Sequence, residues 1–109
     1  MPSEYRIAQN IEFLRMNDYK DVVVIVPRME FIRTIVDLFD FDILKWVRTR
    51  GELNFEDGSK FQFFSDNQLM RLRGMEFDAG IVSTEAGVQA LMDIRHSVRK
   101  GDNPIVICI

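Results

Sequence analysis

Val22-Val23-Val24-Ile25-Val26, closed by Pro27, is the stretch on which the fold turns. Five β-branched residues without a polar interruption read as a strand covered on both faces. A strand with one wet face would alternate apolar and polar residues instead. Strands of this kind belong to parallel sheets, whose crossover connections lay helices on both sides. The flanks agree. Upstream, Ile7, Ile11 and Leu14 recur at helical spacing with Ala8 beside them, Ser3 is placed to cap that helix, and Asn17-Asp18 ends it. Downstream, Ile32, Ile35, Val36 and Phe39 fall at i, i+3, i+4 and i+7, the apolar stripe of a second helix.

Farther along, Ile43, Leu44, Trp46 and Val47 fit either a short strand or a helical turn, and Gly51 ends the segment. Leu53 and Phe55 alternate with Glu52 and Asn54, Asp57-Gly58 marks a tight turn, and Phe61, Phe63 and Phe64 resume, which predicts a β-hairpin. Ser65-Asp66-Asn67 opens a helix over Gln68 to Arg73 that Gly74 stops. Ala79-Gly80-Ile81-Val82-Ser83 is a buried strand. The last helix is expected from Glu85 to Lys100, with Val88, Leu91, Met92 and Arg95 toward the core and Gly101 at its C-cap. Ile105 to Ile109, after Pro104, form a final strand. Alternating strands and helices predict an α/β fold: three layers, a mostly parallel sheet with flanking helices and one β-hairpin, in a single domain over residues 1–109.

The totals exclude several classes. Of 109 residues, 47% are apolar, enough for a real core, and 28% are charged. A net charge of -3 argues against a broadly basic nucleic-acid binder and leaves room for a local basic patch. Cys108 is the single cysteine, so no internal disulfide forms, and a reducing compartment follows. The polar opening Met1 to Arg6 carries no apolar signal stretch, and no apolar run approaches the ~20 residues of a membrane span. A cytoplasmic protein without membrane contact is expected. One histidine and one cysteine cannot build a His/Cys metal cluster, so no metal is expected.

The segments Asp57-Gly58-Ser59-Lys60-Phe61-Gln62-Phe63-Phe64-Ser65, Leu72-Arg73-Gly74-Met75-Glu76-Phe77-Asp78 and Glu85-Ala86 together resemble phage terminase large subunits and related helicase-like ATPases. The Leu-Arg-Gly-x-x-Phe-Asp string carries most of the resemblance. Val22 to Pro27, followed by Arg28-Met29-Glu30, looks like the family's second strand and loop, and the first helix like the one after its phosphate loop. The resemblance spans nearly the whole chain and implies a truncated P-loop NTPase-like domain. Two departures bear on chemistry. A phosphate loop needs glycines, a lysine and a Ser/Thr, yet the few residues before the first helix hold no glycine and no lysine. Where the family places the aspartate and glutamate that hold magnesium and polarise water, this chain has Thr84-Glu85. A hydroxyl at Thr84 cannot supply a carboxylate's charge to a hard cation. Nucleotide hydrolysis by these residues alone is therefore not expected, no cofactor is expected, and no catalytic residue is assigned.

Other residues have a plain reading beside a functional one. Glu85 either descends from catalysis or favours a helix N-terminus electrostatically. Arg71 and Arg73 either contact phosphate, including in trans on a partner's nucleotide, or are surface arginines. Trp46 and Arg48, with Lys45 and Arg50, either bind a single strand or place one ring in the core beside a solvated face. His96, near Arg95 and Arg99, reads as a surface histidine, and Cys108 as buried and inert. Ser83 lacks the glycine pattern of a nucleophile elbow.

Ile105, Val106, Ile107, Cys108 and Ile109 make a strand without charge or internal proline. In the resembled family it would neighbour the phosphate-loop strand. Left as an edge, it invites pairing with another chain, which predicts a homodimer or a strand-donating partner. Three functions follow. The first is a non-catalytic interaction module that binds a protein partner such as a full-length ATPase of the same kind. The second is nucleic-acid binding through the Leu72-Arg73-Gly74 and Trp46 regions. The third is a subunit completing an ATPase site in trans through Glu85 or Arg73.

Overall fold

The computed structural model describes residues 3–39 and 43–109, with Ser3, Asp66, Thr84 and Val88 described through their backbone alone. The elements in order are α1 (Ser3–Met16), β1 (Asp21–Val26), α2 (Glu30–Leu38), β2 (Ile43–Val47), β3 (Glu52–Phe55), β4 (Lys60–Ser65), β5 (Ala79–Val82), α3 (Val88–Ser97) and β6 (Ile105–Cys108). Short 3-10 turns cover Arg48–Arg50, Asp66–Leu72 and Thr84–Ala86. The strands form one six-stranded sheet in the order β2-β3-β4-β1-β5-β6. β1 runs parallel to β4 and β5, and β5 parallel to β6, while β2 and β3 are antiparallel additions on the β4 side.

β1 sits centrally because its side chains are apolar on both faces. Val22, Val24 and Val26 join Ile7, Ile11, Leu14, Ile32 and Ile35 of α1 and α2, with Phe55, Phe61 and Phe63 of the sheet. Val23 and Ile25 join Leu72, Phe77, Ala90, Ile94 and Val98 on the opposite face. Burying each large side chain stabilises the fold by roughly 1.5–3 kcal/mol before entropy is counted. Gly80 lets α3 approach closely: a Cβ there would stand 2.7 Å from Ile94 Cδ1 and 2.9 Å from Val98 Cγ2.

The hairpin forms as expected between β3 and β4, and its turn is tied to α1. Arg15, with its side chain only 10% exposed, donates from Nε to Asp57 Oδ2 at 3.1 Å and lies 3.9 Å over the Phe55 ring. Asp57 also accepts from the Ser59 amide at 2.9 Å and the Ser59 hydroxyl at 2.6 Å. Partial burial pushes the Asp57 carboxyl upward, but the Ser59 hydrogen bonds and Arg15 outweigh it, leaving the group below its ordinary 3.8.

Several expectations need correction. The open segment around Ile43 to Val47 is a strand, and Asp40 lies outside the described residues together with residues 41 and 42. The helix expected over Gln68 to Arg73 is a 3-10 turn that begins two residues earlier, at Asp66. The helix expected from Glu85 to Lys100 is broken at Gly87, whose φ is 91°, and ends at Ser97. Beyond Ser97 the backbone leaves the helix to meet the segment before β5: the amides of Arg99 and Lys100 donate to the Phe77 carbonyl at 3.1 and 3.0 Å. Gly101, at φ 84°, therefore belongs to the turn before β6. The core stripe of α3 is Ala90 and Ile94, continued by Val98, because the small Ala90 can sit against the sheet. Met92 and Arg95 are exposed, contrary to expectation, Leu91 is half-buried, and the Val88 side chain lies outside what is described. Cys108 is exposed rather than buried, since it ends the outermost strand.

Candidate functional site

The Leu72-Arg73-Gly74 element forms one wall of the main groove. Ser65, at the end of β4, starts the Asp66–Leu72 turn: its amide donates to Gln68 Oε1 at 3.1 Å and its hydroxyl bonds Asn67. Leu72 then plugs the core between α3 and the sheet at 2% exposure. The Met75 amide closes back on the Leu72 carbonyl at 3.1 Å, and Gly74 takes φ 81° to permit it. A buried leucine followed by a reversing glycine leaves Arg73 directed into solvent at the groove wall.

The opposite wall is α3. Gln89, Asp93 and His96 fall at i, i+4 and i+7 on one helical face, and Arg99 follows just past its end. Together with Asn67, Leu69, Met70, Arg73 and Met75 they enclose a groove of about 620 Å³. Gln89 Nε2 donates to Asp93 Oδ1 at 3.0 Å. The Ser97 hydroxyl lies 3.5 Å from the Leu72 carbonyl, which sets Arg73 opposite the C-terminal end of α3. Arg99 pairs at 3.2 Å with Glu76, both well exposed, so this ion pair is largely screened by solvent. Residues 67–75 and 94–100 contain no carboxylate and hold Arg71, Arg73, Arg95, Arg99 and Lys100. Of these, Arg73 and Arg99 line the groove, together with the acidic Asp93.

The remaining candidates stand apart. Arg71 lies 5.9 Å from the Phe64 ring, outside the groove lining. Trp46 is half-buried on β2 and meets Phe63 edge-on at 6.3 Å, beside an exposed Arg48. Trp46 packs against the core cluster on the α1 and α2 face of the sheet, whereas Leu72, next to Arg73, belongs to the cluster on the α3 face, so Trp46 and Arg73 do not form one surface. Glu85 is exposed in the turn after β5, its amide reaching the Ser83 hydroxyl at 3.4 Å; the Thr84 side chain lies outside what is described. Ile105, Val106, Ile107 and Ile109 are half-buried.

The Phe-Asp pair of the resembled string has a structural role. Phe77 is buried, and the Asp78 carboxylate accepts the amides of Lys20 at 3.0 Å and Asp21 at 3.1 Å, fixing the start of β1. Asp21 in turn bonds Lys100, raising its ammonium above the ordinary value. Gln89, Asp93, Met70 and Met75 were missed from sequence. The visible signal was the polar i, i+4, i+7 ladder Gln89-Asp93-His96, masked by the expectation of a different core stripe.

Among the described residues, no group of three His, Cys, Asp or Glu side chains is placed to hold a metal, and no helix is long and apolar enough to cross a membrane. The chain matches no known protein family, and no curated protein has a matching sequence.

Proposed function

We propose that this chain is a non-catalytic interaction module of the terminase and helicase-like ATPase kind, phage-type, that works through the outer edge of β6. The observation carrying this reading is a contrast between the two edges of the sheet. On β2 the register slips between Ile43 and Lys45, and exposed Lys45, Arg48 and Arg50 line or follow the strand. Bulges and charges of this kind deter pairing. β6 keeps an unbroken register with β5, Ala79↔Ile105 through Val82↔Cys108, and has neither charge nor proline from Ile105 to Cys108.

The unused hydrogen bonds can be assigned. The Ile109 amide donates to the Val82 carbonyl at 3.0 Å, so alternation turns the amides of Ile107 and Ile105 toward β5 as well. Those of Val106 and Cys108 turn away, where no described strand lies. A second copy, antiparallel about a twofold axis, supplies matching groups, and a neutral strand meets itself without like-charge contact. The family resemblance favours the same edge, because it puts the phosphate-loop strand beside β6; a full-length ATPase lending that strand is the second partner reading.

Light scattering at tens of micromolar, read with amide hydrogen exchange, tests it. A dimer with slowed exchange at Val106 and Cys108 is expected. A monomer in which both amides exchange as free groups overturns self-pairing.

A further inference from the structure

The groove between residues 67–75 and α3 is not explained by pairing through β6, and its two ends differ in charge. At the C-terminal end of α3 stand His96 and Arg99, the latter in a solvent-exposed ion pair with Glu76, with Arg73 on the other wall. No carboxylate among the described residues lies within ion-pair distance of Arg73. Toward the start of α3 stand Gln89 and Asp93. One Asp93 oxygen accepts from Gln89, and the Asp93 carboxylate lines the groove. Asp93 stands four positions before the end of α3 at Ser97, about 6 Å along the helical axis, and Arg99 lies beyond that end. The apolar part of the lining is soft, with Leu69, Met70 and Met75 beside Leu72.

This sequence of groups selects a ligand class. A bare anion would be drawn to the arginines and repelled by Asp93. A purely apolar ligand would leave the seven polar side chains of the lining unused. The groove calls for an anionic head, a flat or apolar middle and a hydrogen-bond-donating far end. Planar guanidinium groups match phosphate oxygens, methionine sulfur packs well against aromatic rings, and a carboxylate accepts from ring or exocyclic N–H groups. We infer that the groove binds a nucleoside monophosphate unit, its phosphate at Arg73 and Arg99 and its base edge at Asp93. The volume of about 620 Å³ is in the range of small-ligand sites. The unit is either free or the end of a single strand; both carry the same chemistry.

The test is titration of the intact protein with AMP, with inorganic phosphate and with a short single-stranded oligodeoxyadenylate, followed by NMR amide shifts. Arg73→Ala is expected to weaken all three, AMP by about tenfold or more, since a charge-assisted contact is lost. Asp93→Asn separates a nucleotide site from a plain anion site. Removing a negative charge strengthens phosphate binding, whereas removing an acceptor from the base edge weakens AMP several-fold. Arg48→Ala, on the far side of the sheet, is expected to change nothing. Equal affinity for AMP and the oligomer assigns the free nucleotide; tighter, salt-sensitive binding of the oligomer assigns the strand. Failure of AMP to shift Arg73, Asp93 or His96 amides at millimolar concentration overturns the inference. So does Asp93→Asn strengthening AMP as much as phosphate. Each variant's thermal midpoint is measured alongside, and because all of these side chains border solvent, folding is expected to be kept.

Discussion

Exchanging adjacent residues of β6 for proline, one at a time, gives opposite results if the strand is oriented as described. Val106→Pro deletes an amide that points away from β5, so no hydrogen bond of the sheet is lost within one chain. Ile107→Pro deletes one that points inward, breaking the β5–β6 ladder and removing a side chain packed against the main core cluster. Backbone hydrogen bonds contribute about 0.5–1.5 kcal/mol each, and a twofold pair loses the Val106 bond twice. Val106→Pro is thus expected to weaken self-association by about 1–3 kcal/mol, roughly fivefold to over a hundredfold in dissociation constant. Val106 also packs against the α3-side core cluster, so the variant's thermal midpoint, measured at a concentration where the native chain is also monomeric, should fall, but by less than that of Ile107→Pro. Ile107→Pro is expected to cost about 3 kcal/mol or more of folding stability at the same concentration. Sedimentation across a concentration series, with circular dichroism melts, reads both quantities. A Val106→Pro chain that dimerises as well as the native one, or that melts lower than Ile107→Pro, refutes the assignment of amide directions and the pairing built on it.

Two further outcomes concern the fold. Gly80→Ala forces a methyl into Ile94 and Val98, and overpacking of that kind is expected to cost about 1–3 kcal/mol, visible as a drop in melting temperature; an unchanged melt would mean that α3 does not seat on β5 as closely as described. Asp57 has a folded pKa below 3.8, so its contribution to stability is present above that value and lost as pH falls through the depressed value. Acid titration of the native chain against Asp57→Asn should show the native chain losing its advantage below about pH 4, and parallel curves there would contradict the Arg15–Asp57–Ser59 arrangement.

The legibility of the sequence followed the strength of its periodic signals. Val22 to Val26 predicted a central, doubly covered strand because no polar residue interrupts it, and Ile7-Ile11-Leu14 and Ile32-Ile35-Phe39 predicted the helical stripes for the same reason. Asp57-Gly58 marked the hairpin because that dipeptide suits a tight turn. α3 was misread where competing signals overlap. Met92 and Leu91 are as apolar as Ala90, Ile94 and Val98, but it is the latter three that are buried, with Gly80 making room for Ile94 and Val98, a steric fact that no hydropathy pattern records. Cys108 was placed inside because its neighbours are apolar, yet sheet order, which is tertiary information, leaves it outside. Arg73 was singled out from its string, but its groove partners Gln89 and Asp93 come from a helix more than fifteen residues away, and no local pattern brings them together. The same string also contained Phe77 and Asp78, whose role is structural.

The unequal borders of the sheet also limit how large an assembly can become. Molecules with two sticky rims stack end to end without limit, whereas here the bulge at Ile43–Lys45 and the cations Lys45, Arg48 and Arg50 close off one direction of growth. Once two copies have met along β6, each turns only its guarded rim outward. The assembly should therefore stop at a pair, and concentrated solutions should stay clear of fibres.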